Sequence, residues 1–445
     1  MARRYEFVEG TSKKFWEIEL EGESFTARWG RIGTDGQQKV QDFDSPAEAR
    51  KAHDKLCAEK EKKGYQLVSA PSGEAPVAHP AQANEELEAK IALAPGDEVG
   101  WKIYADWLLE KSEPWGEVIA QACAGKPNLQ RQQEAERAIG GGIDGAAFEW
   151  AFGAISRFEL ISNEEPDEEN TVAMVLARAL AHPAGRLVRT LTLGLPPRVG
   201  GDIDWHYEEL IGAIGKAGPL PLLEKVDLSP DAEHMDQTSW RRIGDLRPLW
   251  KAAPRLKELR MQGASGSDGG TPIKLGKIDA PHLETFAFES GGLDESVPKD
   301  LGAATLPKLK HLELMFGRED YGCSSSVKSL AGILSGKGLP KLETLGLKNS
   351  EWEVELIDAI ASSKVLPQLK VLDLSMGVLF QDGAAALIKH QAKFAHLKKL
   401  ILDDNYLEAQ KDALAKAFPM VELGEQRELE GEPDDEYSRY TSVGE

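Results

Sequence analysis

A short apolar phrase that returns eight times constrains this chain more than any other feature. At its clearest it reads Leu309-Lys310-His311-Leu312-Glu313-Leu314: a leucine, two other residues, a leucine, one other, a leucine. Equivalents begin at Val188, Leu223, Leu256, Leu283, Leu342, Leu369 and Leu397, and each closes on a pair such as Leu191-x-Leu193 or Leu259-x-Met261. The starts are separated by 35, 33, 27, 26, 33, 27 and 28 residues. Apolar residues two apart share one face of a strand, and a lone strand cannot bury that face. Neighbours that stack in register can, by building one continuous core. The intervals also leave room for helices, and Val327 to Leu334, Glu353 to Ile360 and Ala384 to Ile388 carry apolar residues at helical spacing.

Phrase and interval together resemble the leucine-rich-repeat family. The resemblance implies a solenoid over residues 188–420, with parallel strands inside a horseshoe, helices outside, and a macromolecular partner on the concave face. The residues between the apolar positions would carry specificity there. One column reads Thr192, Asp227, Arg260, Ala287, Glu313, Gly346, Asp373 and Ile401. The column two residues earlier reads Thr190, Lys225, Glu258, Thr285, His311, Thr344, Val371 and Lys399. A nucleic-acid groove would be basic with interleaved aromatics, whereas these columns are mixed and often small. They suit a protein partner, with Lys225, Asp227, Glu258, Arg260, His311, Glu313, Asp373 and Lys399 as contact residues. The alternative is that the charges solvate the strands and pair across them. The insertion between Ser229 and Trp250 is expected to set Met235, Trp240 and Trp250 near an edge, and Gly263 to Gly270 reads as a loop.

Residues 128–187 bridge into the repeats. Gly140 to Gly142 should break a helix that starts near Gln130, Phe158-x-Leu160 reads as a capping strand, and Val172 to Leu180 as the first helix of the array. Residues 84–127 read as a helical module with Trp101, Tyr104, Ala105 and Leu108 on one face. The stretch from Ala94-Pro95 through Tyr104-Ala105-Asp106-Trp107-Leu108 to Pro114-Trp115-Gly116-Glu117 resembles a bacterial repeat-companion module found upstream of leucine-rich repeats. Residues 69–83 are Pro- and Ala-rich without periodicity and read as a linker.

The first 68 residues have a different pattern. Tyr5 and Phe7, Phe15 to Leu20, Phe25 to Trp29 and Val40 to Phe43 alternate as strands do, with turn signals between them. Ser45, Pro46 and Glu48 then open a helix with a capping box, Ala49, Ala52 and Leu56 give it an apolar stripe, and Tyr65 to Leu67 form a return strand. The run Arg28-Trp29-Gly30-Arg31-Ile32-Gly33-Thr34-Asp35-Gly36, followed by strand and helix, resembles the WGR domain. In poly(ADP-ribose) polymerases that domain helps to hold DNA ends: its tryptophan stacks on a terminal sugar and its arginine makes a phosphate or interdomain contact. The resemblance makes Trp29 a stacking platform and Arg31 a polar contact, with Gly30, Arg28, Lys39, Lys13 and Lys14 around them. Against it, alternation puts Trp29 on the face of Phe25 and Ala27, where a core residue would sit. The stretch is also neutral, with 13 basic and 13 acidic residues, and neutrality removes the electrostatic term of DNA affinity.

The whole chain carries a formal charge of −21, all of it beyond residue 68. Residues 421–445 read as an acidic, disordered tail. Three cysteines, odd in number and far apart, point to a reducing compartment and a cytoplasmic location, and no run is long and apolar enough for a membrane span. Catalytic signals are missing. No phosphate-binding Gly-rich loop ending in Lys-Ser/Thr occurs, the nine histidines are scattered without metal spacing, and no cofactor is implied. His206-Tyr207-Glu208 matches the letters of the ADP-ribosyltransferase triad, but that triad is assembled from separate strands. Asp106 and Glu117 form a conceivable carboxylate pair with neither nucleophile nor metal partner beside it.

The sequence therefore reads as a multidomain α/β, non-enzymatic interaction protein: a small antiparallel-sheet WGR domain, a helical module, then a parallel solenoid. It resembles bacterial WGR and leucine-rich-repeat proteins, some of them grouped with molybdate-metabolism regulators. The first expectation is a protein partner on the repeats with the WGR domain as second contact; the alternative is a sensor of nucleic-acid ends.

Overall fold

The computed structural model describes residues 2–9, 12–21, 24–31, 37–43, 46–63, 65–69, 83–140, 143, 145–161, 171–194, 205–229, 238, 241–264, 272–429 and 439–443. They form two compact units, Met1–Ala78 and His79–Glu445.

In the first unit the alternating stretches become β1 (Ala2–Glu9), β2 (Ser12–Glu21), β3 (Ser24–Arg31) and β4 (Gln37–Asp42), followed by α1 (Pro46–Lys62) and β5 (Gln66–Ser69). The antiparallel sheet runs β4-β3-β2-β1-β5, so the return strand closes on β1. Tyr5, Trp16, Ile18, Phe25 and Ala27 form one face of the sheet, and Cys57 of α1 packs into it with Leu56 and Ala52. The expected cap, Ser45, lies outside the described residues.

The second unit begins with α2 (Glu85–Leu93), α3 (Glu98–Glu110), α4 (Trp115–Cys123) and α5 (Leu129–Gly140). Asn84 and Asp97 cap α2 and α3 by accepting from the backbone amides of Leu87 and Val99. Trp101, Tyr104, Ala105 and Leu108 are buried, as their spacing requires. Next come β6 (Ala146–Ala151), β7 (Ala154–Ile161) and α6 (Val172–Ala181). The capping strand at Phe158 is present as β7, and β6 is an additional strand outside it. Phe152 and Gly153, at φ +50° and +77°, make the tight turn between them. A Cβ at Gly153 would lie 2.9 Å from the Ile119 backbone, so the close approach needs glycine.

All eight phrases form strands. They are β8 (Thr190–Gly194), β10 (Lys225–Leu228), β12 (Glu258–Gln262), β13 (Thr285–Glu289), β14 (His311–Met315), β15 (Thr344–Lys348), β16 (Val371–Asp373) and β17 (Lys399–Ile401). A short pair, β9 (Trp205–His206) and β11 (Arg241–Arg242), stands apart, and β18 (Val421–Glu422) ends the array. The eleven-stranded sheet is parallel from β7 to β18, with β6 antiparallel at its edge. Register follows the phrase: Leu312 aligns with Phe286 and Leu345, and Leu314 with Phe288 and Leu347. Those residues are buried in one apolar cluster that runs unbroken from Ile91 of α2 to Phe418. The helical module and the strand array therefore share a core.

Helices return the chain between strands, among them α7 (Tyr207–Lys216), α8 (Arg247–Ala252), α9 (Ser296–Ala303), α10 (Ala331–Leu334), α11 (Val354–Ala361), α12 (Gln381–Lys389), α13 (Gln391–Phe394) and α14 (Lys411–Ala417). Val327–Leu330, expected as α-helix, is a 3-10 turn leading into α10. Trp250 corrects another expectation. It is buried on α8 and donates through Nε1 to the Leu275 carbonyl at 2.8 Å, while Met235 and Trp240 lie outside the described residues, as does most of 263–270.

Beyond β14 to β17 the backbone ladder continues for one more step. Gly317, Asn349, Met376 and Asp404 all have positive φ, and their amides donate to Asn349, Ser375, Asp403 and Glu425 carbonyls at 2.9–3.0 Å. The expected acidic tail joins this edge. Residues 421–429 and 439–443 make specific contacts with the repeats, and Val443 and Thr441 are buried; 430–438 lie outside the described residues.

Candidate functional site

Register decides what surrounds Trp29. On β3 it stands opposite Trp16 of β2 and Gln37 of β4, and directly opposed residues share a face of an antiparallel sheet. Trp29 thus continues the core row of Phe25 and Ala27, as alternation predicts. Yet Phe25, Ala27 and Trp16 are 3%, 8% and 3% exposed, and Trp29 is 38% exposed. The cover over the row gives out at the tryptophan.

The same register sorts the charges. Lys14 opposes Arg31 and Lys39 opposes Ala27, so the positions of Lys14, Arg31 and Lys39 all share the Trp29 face. Glu17, Glu19 and Glu21 of β2 and Asp42 of β4 oppose Arg28, Thr26 and Ser24, which belong to the other face. Lys14, Gln37 and Lys39 are exposed; the Arg31 side chain lies outside the described residues. Neutral composition therefore conceals a face whose charged positions on β2 to β4 are all basic.

Arg28 does not join it. Its guanidinium bonds Glu17 through Nε at 2.9 Å and Nη2 at 2.8 Å, and lies over the Phe15 ring at 5.5 Å from its centre. Gly30, opposite Phe15, is on that second face as well. Of the seven residues grouped by sequence, Trp29, Lys14, Lys39 and the Arg31 position come together, and Arg28, Gly30 and the Lys13 position belong to the other face.

The eight charged residues on the large sheet behave differently. All are half-buried on the face opposite the apolar cluster, and every one has a partner within the fold. Lys225 reaches Glu258 at 3.0 Å and Asp227 at 3.6 Å, and Arg260 Nε bonds Glu258 at 2.7 Å. Glu313 takes Lys348 at 3.0 Å and His311 at 3.4 Å. Lys399 pairs with Glu422 at 2.6 Å, and Asp373 accepts the Ser375 amide at 2.9 Å. Burial alone would raise the Glu313 carboxyl, but His311 and Lys348 outweigh it and hold the group down at about 2. Burial also works against Glu258, and Arg260 and Lys225 reverse it. Glu289, at the end of β13, is shifted upward by burial and by the neighbouring Glu313 charge.

Asp106 and Glu117 are both exposed, and Glu117 accepts from Gln121 at 3.1 Å. Tyr207 is buried at the start of α7; the His206 side chain lies outside the described residues. Among the described residues no group of three or more His, Cys, Asp or Glu side chains could hold a metal, and no helix is long and apolar enough to cross a membrane.

Sequence reasoning missed a buried constellation at Glu88. This residue of α2 is 1% exposed and receives the Arg186 guanidinium at 2.8 and 2.9 Å, together with the Tyr104 hydroxyl at 3.2 Å. Burial first, and then the Glu88 charge, push the Tyr104 phenol well up. Arg255 donates to the Ala92 carbonyl of the same helix at 3.0 Å. The only local signal was Glu88 three residues before Ile91 and on its face, among residues that otherwise read as solvated.

Comparison with known proteins gives residues 1–71 a match to the WGR domain family. Two Escherichia coli K12 proteins are similar over the same region. The uncharacterised YfeS is 38% identical over 66 residues, covering 15% of this chain and 27% of its own. YehF is 41% identical over 63 residues, covering 14% and 23%. The likeness spans about a quarter of each relative. A crystal structure of a Bacteroides fragilis protein, a structural-genomics target, covers 99% of both chains with a TM-score of 0.50 and 24% identity, a likeness of fold alone.

Proposed function

We propose that this protein is a non-catalytic nucleic-acid-end binder whose WGR unit supplies the contact and whose repeat unit recruits a protein. The observation that carries this is Trp29, exposed where its row should be covered, on a face whose charged positions on β2 to β4 are Lys14, Arg31 and Lys39. An exposed indole offers a stacking surface to a terminal nucleotide, and cations beside it meet phosphate. The match to the WGR family supports the same reading. It takes precedence over the protein-first expectation because the charges expected to meet a protein on the large sheet are committed to one another.

The large unit supports the second part. Its strand phrase extends, in Leu397-x-x-Leu400-x-Leu402-x-x-Asn405-x-Leu407, to the longer leucine-rich-repeat pattern. Asn405 is fully buried and donates to the Leu374 and Leu402 carbonyls at 3.0 and 3.1 Å, which is work a repeat asparagine can do between neighbouring coils. On this reading the unit is a leucine-rich-repeat solenoid with residues 84–127 as its companion module.

The test is a titration of short duplex DNA with free ends against a closed circle of the same sequence, using the full chain. End-containing DNA should bind with an affinity that falls as salt rises, and Trp29→Ala and Arg31→Ala should each remove the preference for ends. Equal binding of linear and circular DNA, or none at low salt, overturns the proposal.

A further inference from the structure

The edge beyond β15, β16 and β17 carries side chains that read main chain. Asn349, fully buried at φ +55°, accepts the Val443 amide through Oδ1 at 3.0 Å and donates through Nδ2 to the Val443 carbonyl at 2.6 Å. That is the pair of bonds a neighbouring strand would make. The Tyr406 hydroxyl does the same for Tyr440, accepting from its amide at 2.9 Å and donating to its carbonyl at 3.1 Å. Between them the Ser442 amide donates to the Met376 carbonyl at 2.9 Å. Three side chains are read as well. The Arg439 guanidinium bonds Glu353 and lies 5.2 Å from the centre of the Phe380 ring. Arg318 lies over the Tyr440 ring at 4.7 Å, and Ser442 bonds Asp404.

We propose that this edge is a binding site for an extended peptide of the pattern Arg-aromatic-x-Ser-aliphatic, and that residues 439–443 are its resident, displaceable ligand. A terminal seal would be expected to extend the core, but Tyr440, Thr441 and Val443 lie outside the continuous apolar cluster, which Leu414 and Phe418 already close. The attachment is made of hydrogen bonds, cation–π contacts and the single Arg439–Glu353 ion pair, each with a modest net value in water. Asn349 makes the site specific for main chain. With nothing on it, a buried amide would lose a donor and an acceptor partner together, so the edge favours an occupant without fixing which chain supplies it. The inference stands apart from the nucleic-acid reading, because it concerns only the large unit.

A site held by its own chain binds a free ligand more weakly by the fraction of time it stands open. The test uses a fluorescein-labelled, amide-capped peptide with the sequence of residues 437–443, titrated by anisotropy against the full chain and against a chain stopped after residue 429. The shortened chain should bind about tenfold or more tightly than the full chain. A scrambled peptide should not bind, and Tyr406→Phe in the shortened chain should weaken binding by about fivefold. Circular dichroism and a melting curve establish that the shortened chain is folded. If it is not, Val443→Pro in the full chain replaces it, since proline removes the amide that Asn349 accepts and leaves every other residue in place. Affinity unchanged between the full chain and a folded, released form, or no binding to the released form, overturns the proposal.

Discussion

The two sheets handle charge in opposite ways. Across β2 to β4 of the small antiparallel sheet, strand parity keeps carboxylates off one face and leaves it to the Lys14, Arg31 and Lys39 positions, beside Trp29. In the large parallel sheet β10 and β12 each set residues of both signs on one face, and the neighbouring strand answers them, as Glu258 answers Lys225. A column of charges is therefore weak evidence for a partner when the next strand can neutralise it. A neutral stretch is equally weak evidence against one when register has sorted its charges.

The largest effect that sharpens this contrast involves neither set of strand charges. Glu88→Ala leaves Arg186 buried without its carboxylate, and breaking a buried pair costs about 3–5 kcal/mol. Chemical denaturation followed by tryptophan fluorescence should show that loss in the large unit, with nucleic-acid binding by the intact variant unchanged. A parallel fall in binding at a temperature where the variant is folded would show that the two regions are not independent.

The same residue marks where the sequence stops being legible. The strands were legible because the phrase repeats a physical requirement, burial of alternate residues, at every coil; Leu312 and Leu345 align as their positions demand. Glu88 satisfies a requirement imposed by Arg186, 98 residues away, and no local pattern encodes a partner at that distance. β6 was missed for a local reason: its turn uses Phe152 at positive φ where asparagine or glycine is the usual signal. At the candidate site, the face of Trp29 was legible from alternation. Its exposure was not, since that depends on where α1 ceases to cover the row. The engaged state of residues 439–443 was hidden by composition, because nine acidic residues among the last 24 read as a solvated tail.

The next effect tests the small sheet directly. Trp29→Ala should cost about 1–3 kcal/mol of end affinity, roughly 5- to 150-fold, the value of one stacking contact. Arg28→Ala, whose charge is held by Glu17 on the other face, should change it by less than about threefold. Equal losses from both would mean that parity does not separate the faces in solution. Melting temperature should fall only modestly with Trp29→Ala, because the indole is partly exposed at the end of the core row.

The smallest effects test the large sheet, through the pH dependence of two glutamates. Glu313 is held down at about 2, so its charged form stabilises the fold above the ordinary carboxyl range, and that contribution is lost as pH falls from about 4.5 toward 2. Glu313→Gln should then cost about 1.5 kcal/mol at pH 7 and nothing once the native carboxylate is itself protonated. Glu289 has the opposite sign. Its carboxyl is raised by burial and by Glu313, so ionisation works against the fold above its own pKa and the penalty fades as pH falls. Glu289→Gln should stabilise the chain by less than about 1 kcal/mol at pH 7, with the gain shrinking in acid. Melting curves from pH 7 down to pH 3 separate the two. If the variants shift in the same direction at pH 7, the charges of this face do not answer one another, and the repeat columns return as free contact residues.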